Sequence, residues 1–154
     1  REDGVRNRGL RALAVAKTPP GAETAPEAPG KWSVAEVVHH LADAELVWAY
    51  RLRCMLTEDQ VRLDGYDQDV WAERFGYRGV PAQESLELFV VLRRSNQRLI
   101  GGTDAADLRR TAIHAERGES TLETTLRLYA GESKRQSPAD LVVSRELGRP
   151  LAAR

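Results

Sequence analysis

The chain reads as an all-α protein, with long helices joined by ordered loops and packed as a bundle. Three observations carry this. Helix-start signals stand at Ser33–Glu36 and Ser120–Glu123, each a hydroxyl residue followed three positions later by Glu. Apolar residues recur at threes and fours behind those starts, which puts them on one face of a helix. No segment alternates with the period of a strand, and there is no internal repeat.

In chain order, residues 5 to 17 suit a short helix through Leu10, Leu13 and Val15, weakened by Gly4, Gly9 and Thr18. Residues 18 to 30 hold four Pro and two Gly and read as a linker. The strong helix runs from about Val34 to about Thr57. Ser33 caps it, Glu36 reaches back to the Ser33 amide, and Trp32 is placed to staple onto Val37. Its expected core stripe is Val34, Val37, Val38, Leu41, Trp48, Leu52 and Met55. Asp64-Gly65 marks a turn, and a short helix fits Asp67 to Arg74. Val80-Pro81 opens the next helix, with Pro at the first position, where its missing amide costs nothing. Leu86, Phe89, Val90, Leu92, Leu99 and Ile100 form its apolar face, and Gly101-Gly102 ends it. A loop through Asp104 and Arg110 leads to His114. The Ser120–Glu123 capping box then starts a helix bearing Leu122, Leu126 and Tyr129, which Gly131 interrupts. A last short helix is expected between Ser137 and Gly148.

A chain of 154 residues fits one domain with a real core. Basic and acidic residues balance at 23 each, so total charge attracts neither nucleic acid nor an anionic membrane. The middle is acidic: residues 32 to 131 carry twelve Arg, no Lys and sixteen Asp or Glu. Nucleic-acid binding is therefore disfavoured. No apolar run approaches the ~20 residues of a membrane span, and the start lacks a signal-peptide h-region, so a cytoplasmic protein is expected. Cys54 is alone, which excludes a disulfide framework or a Cys-based zinc site and makes it a small buried hydrophobe.

Chemistry centres on the three His residues. His40 borders the apolar stripe, where an imidazole either faces the bundle interior as a metal ligand or serves as a satisfied boundary group. His39 and His40 are adjacent and point about 100° apart on a helix, so they cannot share one ion. Glu36 shares a face with His40, but it already has a capping role. His114 follows a loop and suits a turn unless that loop folds inward. Trp71, Phe75 and Tyr77 suit either a pocket mouth or a plug at the bundle end. No phosphate loop, nucleophile elbow or calcium loop is present, so catalytic residues stay unassigned and no nucleotide-type cofactor is expected.

Several pieces in order resemble the DinB/YfiT-like four-helix-bundle family. They are Gly30-Lys31-Trp32-Ser33, Glu36, His40-Leu41-Ala42-Asp43-Ala44-Glu45, Tyr66-Asp67, Trp71-Ala72, Arg93-Arg94-Ser95-Asn96 and His114 to Gly118 before Thr121-Leu122. The match covers roughly residues 29 to 131. It divides the chain into an N-terminal segment and Pro-rich linker (1–28), a bundle domain (29–131) and a divergent tail with a short helix (132–154), both ends being irregular. The resemblance implies a divalent metal (zinc, nickel or iron) held by three His, and thiol S-transferase, hydrolase or isomerase chemistry on a small-molecule thiol substrate, with a homodimer as a further expectation. It makes His40 the first metal ligand and puts His114 outside the triad. The family's other two ligands form a His-x-x-x-His pair on the last bundle helix. Here that stretch reads Glu132-Ser133-Lys134-Arg135-Gln136-Ser137-Pro138, and no His follows position 114.

Three expectations follow. The chain is a DinB-like domain with an incomplete metal site, serving as a silent interaction or dimerisation domain. Alternatively, it is an active metal-dependent transferase or hydrolase whose ion is completed by Asp43, Glu45 or His114. Or it is the product of a shifted reading frame beyond codon 131.

Overall fold

The computed structural model describes residues 24–26 and 28–132, with side chains through Tyr129. The expected helices at 5–17 and 137–148, and most of the tail, lie outside the described residues. Helix α1, Val34–Thr57, begins as its sequence dictates: the Ser33 hydroxyl accepts from the Glu36 amide and the Glu36 carboxylate accepts from the Ser33 amide, closing the capping box. Helix α2, Gln68–Arg74, starts at Asp67, whose carboxylate accepts from the amides of Asp69 and Val70. Helix α3, Gln83–Gly101, packs along α1, and α4, Leu122–Glu132, follows a small sheet.

The buried face of α1 is rotated from the predicted stripe. Ala35, Val38, Ala42, Trp48, Ala49, Leu52 and Met55 are buried, together with Glu36, His39 and Glu45. Val34, Val37 and Leu41 are only half-buried. Small Ala residues carry little weight in an apolar pattern, yet Ala35, Ala42 and Ala49 are all buried. Phe89 and Val90 of α3 meet Ala42, with Leu41 at the edge.

The expected helical bundle holds in the main, with a small sheet that the sequence did not announce. Three strands, β1 (Val61–Leu63), β2 (Thr111–His114) and β3 (Gly118–Thr121), form a sheet in the order β1-β2-β3. β1 runs parallel to β2, with Val61 opposite Ala112 and Leu63 opposite His114. β2 and β3 form a hairpin, and Gly118 closes its turn at φ 75°. Strands of three or four residues are too short to display a period. The molecule remains mainly a bundle of helices, with the sheet closing one end over Trp48, Leu52, Met55 and Leu122.

Two predicted starts also shift. Pro81 precedes α3 by two residues, and Ala82 is the cap. In α4 the cap is Thr121, the last residue of β3, whose hydroxyl accepts from the Thr124 amide, while the Ser120 hydroxyl meets that of Thr125. The helix continues past Gly131 to Glu132. Cys54 is buried, as expected. Among the described residues, no helix is long and apolar enough to cross a membrane.

Candidate functional site

His39 and His40 leave α1 in different directions and meet different fates. His39 is buried, with Nε2 2.9 Å from the Val80 carbonyl and Nδ1 2.7 Å from the Ser85 hydroxyl. A carbonyl only accepts, so Nε2 must donate, and Nδ1 is taken by Ser85. Neither nitrogen is left for an ion; this imidazole ties α1 to α3. His40 is half-buried, with its ring edge-on to Trp32 at 5.2 Å. Trp32 was expected to staple onto Val37; its ring partner is instead the candidate ligand. Burial pushes the His40 imidazole below its ordinary value, against the opposing pull of the Asp43 and Asp69 carboxylates.

The acids nearest in sequence are committed. Asp43 accepts from the Tyr77 hydroxyl, and burial together with that carboxylate raises the Tyr77 phenol. Tyr77 is buried at the end of a ring series from Tyr66 through Trp71 and Phe75, so it plugs the structure rather than opening a mouth. Glu36 keeps its capping role and faces Arg78.

Glu45 is the centre of a polar cluster that pattern reading missed. Its side chain is 1% exposed, and it accepts from Asn96 Nδ2 at 2.7 Å, Arg93 Nη2 at 2.9 Å and the Tyr129 hydroxyl. The Arg93 guanidinium lies 4.9 Å from the ring centres of both Phe89 and Tyr129. Tyr129 stacks on Trp48 at 4.5 Å. Burial raises the Tyr129 phenol, with Glu45 adding to the rise and Arg93 opposing it, so the hydroxyl keeps its proton and donates. Arg53 extends the network to Asn96 and Ser95. Beside this cluster, α1, α3, α4 and the sheet border a partly open cavity of about 180 Å³, lined among others by Glu45, Trp48, Arg93, His114 and Tyr129. The loop before His114 does fold inward. His114 Nδ1 accepts from the Glu116 amide, and the residue lines this cavity.

A family model described as the DinB superfamily matches residues 6–135. The chain belongs to the DinB superfamily. A relative from Oceanobacillus iheyensis, named a candidate metal-dependent hydrolase, is 32% identical over 105 residues, covering 68% of this chain and 60% of its own. A second, so named in Bacillus mycoides, is 32% identical over 101 residues, or 66% of this chain and 58% of that one. The chain thus spans about three-fifths of the length of these curated relatives. YfiT of Bacillus subtilis, described as a candidate metal-dependent hydrolase with an unusual four-helix-bundle topology, superposes with a TM-score of 0.73 at 24% identity, over 92% of this chain and 85% of that one. At that identity the likeness speaks for the DinB-like fold alone.

The names of the relatives imply a metal, and the described residues do not by themselves form a site for one. Among the described residues, no three His, Cys, Asp or Glu side chains converge on a point. Beyond position 132 the sequence supplies no His or Cys. His39 is committed at both nitrogens, whereas His40 and the Nε2 of His114 are not, and no step is routed through an ion here.

Proposed function

We propose that this chain is a DinB-superfamily bundle that binds small molecules and keeps one imidazole, His40, of a metal site whose complement it lacks. It then works without a resident catalytic metal. The observation that carries this reading is the commitment of the nearest donors on α1: His39 to Val80 and Ser85, Asp43 to Tyr77, and Glu45 to Arg93, Asn96 and Tyr129. This leaves His40 only the Asp69 carboxylate as a neighbour and no third ligand among the described residues. A single imidazole does not hold a divalent ion against water.

Metal analysis of the purified protein, paired with thermal melts, tests it. The expected result is substoichiometric metal, unchanged in His40→Ala, and a melting temperature that chelator leaves in place. A stoichiometric ion lost in His40→Ala, with a drop of several degrees on chelation, overturns it, because a ligand bound only by the native state raises stability.

The names of the relatives favour a second reading, metal-dependent hydrolysis. Its finer form, which those names do not carry, is hydrolysis or S-transfer on a thiol substrate with zinc, nickel or iron held by His40 and non-standard ligands. It requires Asp43 or Glu45 to give up present partners, or His114 to turn its Nε2 toward the ion. A homodimer belongs to the same proposal, and light scattering on the eluted protein decides it.

A further inference from the structure

We propose that the partly open cavity between α1, α3, α4 and the sheet binds a small neutral aromatic carbonyl compound, with His114 as its hydrogen-bond donor. This rests on the small-molecule reading above and deepens it by naming the ligand class. His40 is not among the lining residues, so an ion there does not bear on it.

The sheet places the donor. Side chains alternate along β2, so His114 shares a face with Ala112, which is buried in the core with Trp48 and Leu122. The imidazole therefore stands on the helix side of the sheet, where it lines the cavity. Its Nδ1 accepts from the Glu116 amide at 3.2 Å, so the neutral ring carries its proton on Nε2, at the far end of the side chain. Nothing among the described residues accepts from that N–H. The unpartnered side-chain atoms sealed away from solvent are Trp48 Nε1 and Arg93 Nε, and His114 Nε2 is not one of them. It is an open donor on a cavity wall, within reach of an acceptor from outside.

Charge and shape decide what carries that acceptor. Glu45 is matched by Arg93, Arg51 donates to the Asp64 carbonyl, and Arg117 is engaged as well. No vacant charged fork faces the cavity, which favours a neutral ligand over an ion. The Tyr129 hydroxyl is taken by Glu45 and the Ser120 hydroxyl by Thr125, so His114 sets the chemistry. Trp48, Tyr66, Phe89 and Tyr129 supply aromatic walls. A volume of about 180 Å³ slightly exceeds the ~150 Å³ that admits benzene, which is room for one ring and a short substituent.

Calorimetric titration of the full chain with acetophenone, ethylbenzene and benzoate tests this. Acetophenone is expected to bind at one site, about tenfold tighter than ethylbenzene, which has the ring and the size but no acceptor. Benzoate is expected to bind no tighter than acetophenone. His114→Leu is expected to weaken acetophenone about tenfold and to leave ethylbenzene unchanged, which separates a lost hydrogen bond from a damaged cavity. His114→Gln, whose side-chain amide donates from a similar reach, restores acetophenone binding to within about threefold. Ala44→Leu fills the cavity from α1 and abolishes acetophenone binding with the helical circular dichroism intact. Chelator leaves acetophenone binding unchanged, so failure here leaves the metal result of the preceding proposal standing, and the reverse. Equal binding of acetophenone and ethylbenzene overturns the proposal, as does benzoate binding tighter than acetophenone. So does acetophenone binding that His114→Leu leaves intact or that survives Ala44→Leu, or its absence at millimolar concentration.

Discussion

The Glu36 carboxylate accepts from the Ser33 amide and lies 3.2 Å from Arg78, so the folded chain favours its charged form. Burial raises its pKa, but the Ser33 contacts and Arg78 together outweigh that and leave it lowered. A carboxyl whose pKa falls on folding adds stability above its unfolded value, and that stability is lost as pH falls through the folded one. Stability should therefore decline as pH drops below about 4.5, the ordinary value for this group. Glu36→Gln should be less stable at neutral pH and flatter in the acid range, read by urea denaturation between those conditions. Ser33→Ala removes the other half of the box and should cost about 1 kcal/mol. Glu45 makes a sharper case, since it is buried and paired with Arg93, whose side chain is 23% exposed. Arg93→Met strands the carboxylate and should cost about 3 kcal/mol in denaturant melts. The double substitution Glu45→Met with Arg93→Met should cost less than that single one, because it removes the charge along with its partner.

Among the elements, α1 was legible because its start is written locally, in Ser33 and Glu36. Asp67 announced the short helix α2 in the same way. The sheet was not legible, since Val61–Leu63 pairs with a partner fifty residues on and neither strand is long enough to show alternation. The same blindness hid the cavity: the Glu45–Asn96 and Glu45–Tyr129 contacts span 51 and 84 positions, and no spacing rule reaches so far. His40 was found through its motif. The choice between His40 and His39 as the inward imidazole depended on the rotation of α1, which the buried Ala35, Ala42 and Ala49 mark without an apolar signature. At the start of α4 the sequence pattern pointed to Ser120, yet the Thr121 hydroxyl meets the Thr124 amide at 3.2 Å while the Ser120 hydroxyl meets the Thr125 hydroxyl. Thr121→Ala should therefore destabilise by about 1 kcal/mol and Ser120→Ala by clearly less, compared by urea denaturation. Equal effects would mean that the cap is shared.

At the scale of the molecule, α1 belongs to two cores. Near its N-terminal half, Ala42 meets Phe89 and Val90 of α3, and toward its C-terminus Trp48, Leu52 and Met55 meet Val61, Leu63, Ala112 and Leu122. One continuous helix of 24 residues passes through both, so neither core can open without breaking a helix the other depends on. Arg110 reinforces the junction by donating from the start of β2 to the Met55 and Glu58 carbonyls at the end of α1. The described residues should then unfold as one cooperative unit. Leu52→Ala in the sheet-side core and Phe89→Ala in the α3-side core should each cost about 3 kcal/mol, since both side chains are at most 3% exposed. In a background carrying Trp32→Phe and Trp71→Phe, which leaves Trp48 as the one tryptophan, each should shift the fluorescence and far-ultraviolet transitions together, although Trp48 reports on one core and helix content on both. A fluorescence midpoint that moves in Leu52→Ala while the helical signal stays behind would show that the sheet end opens separately, and that α1 does not couple the two.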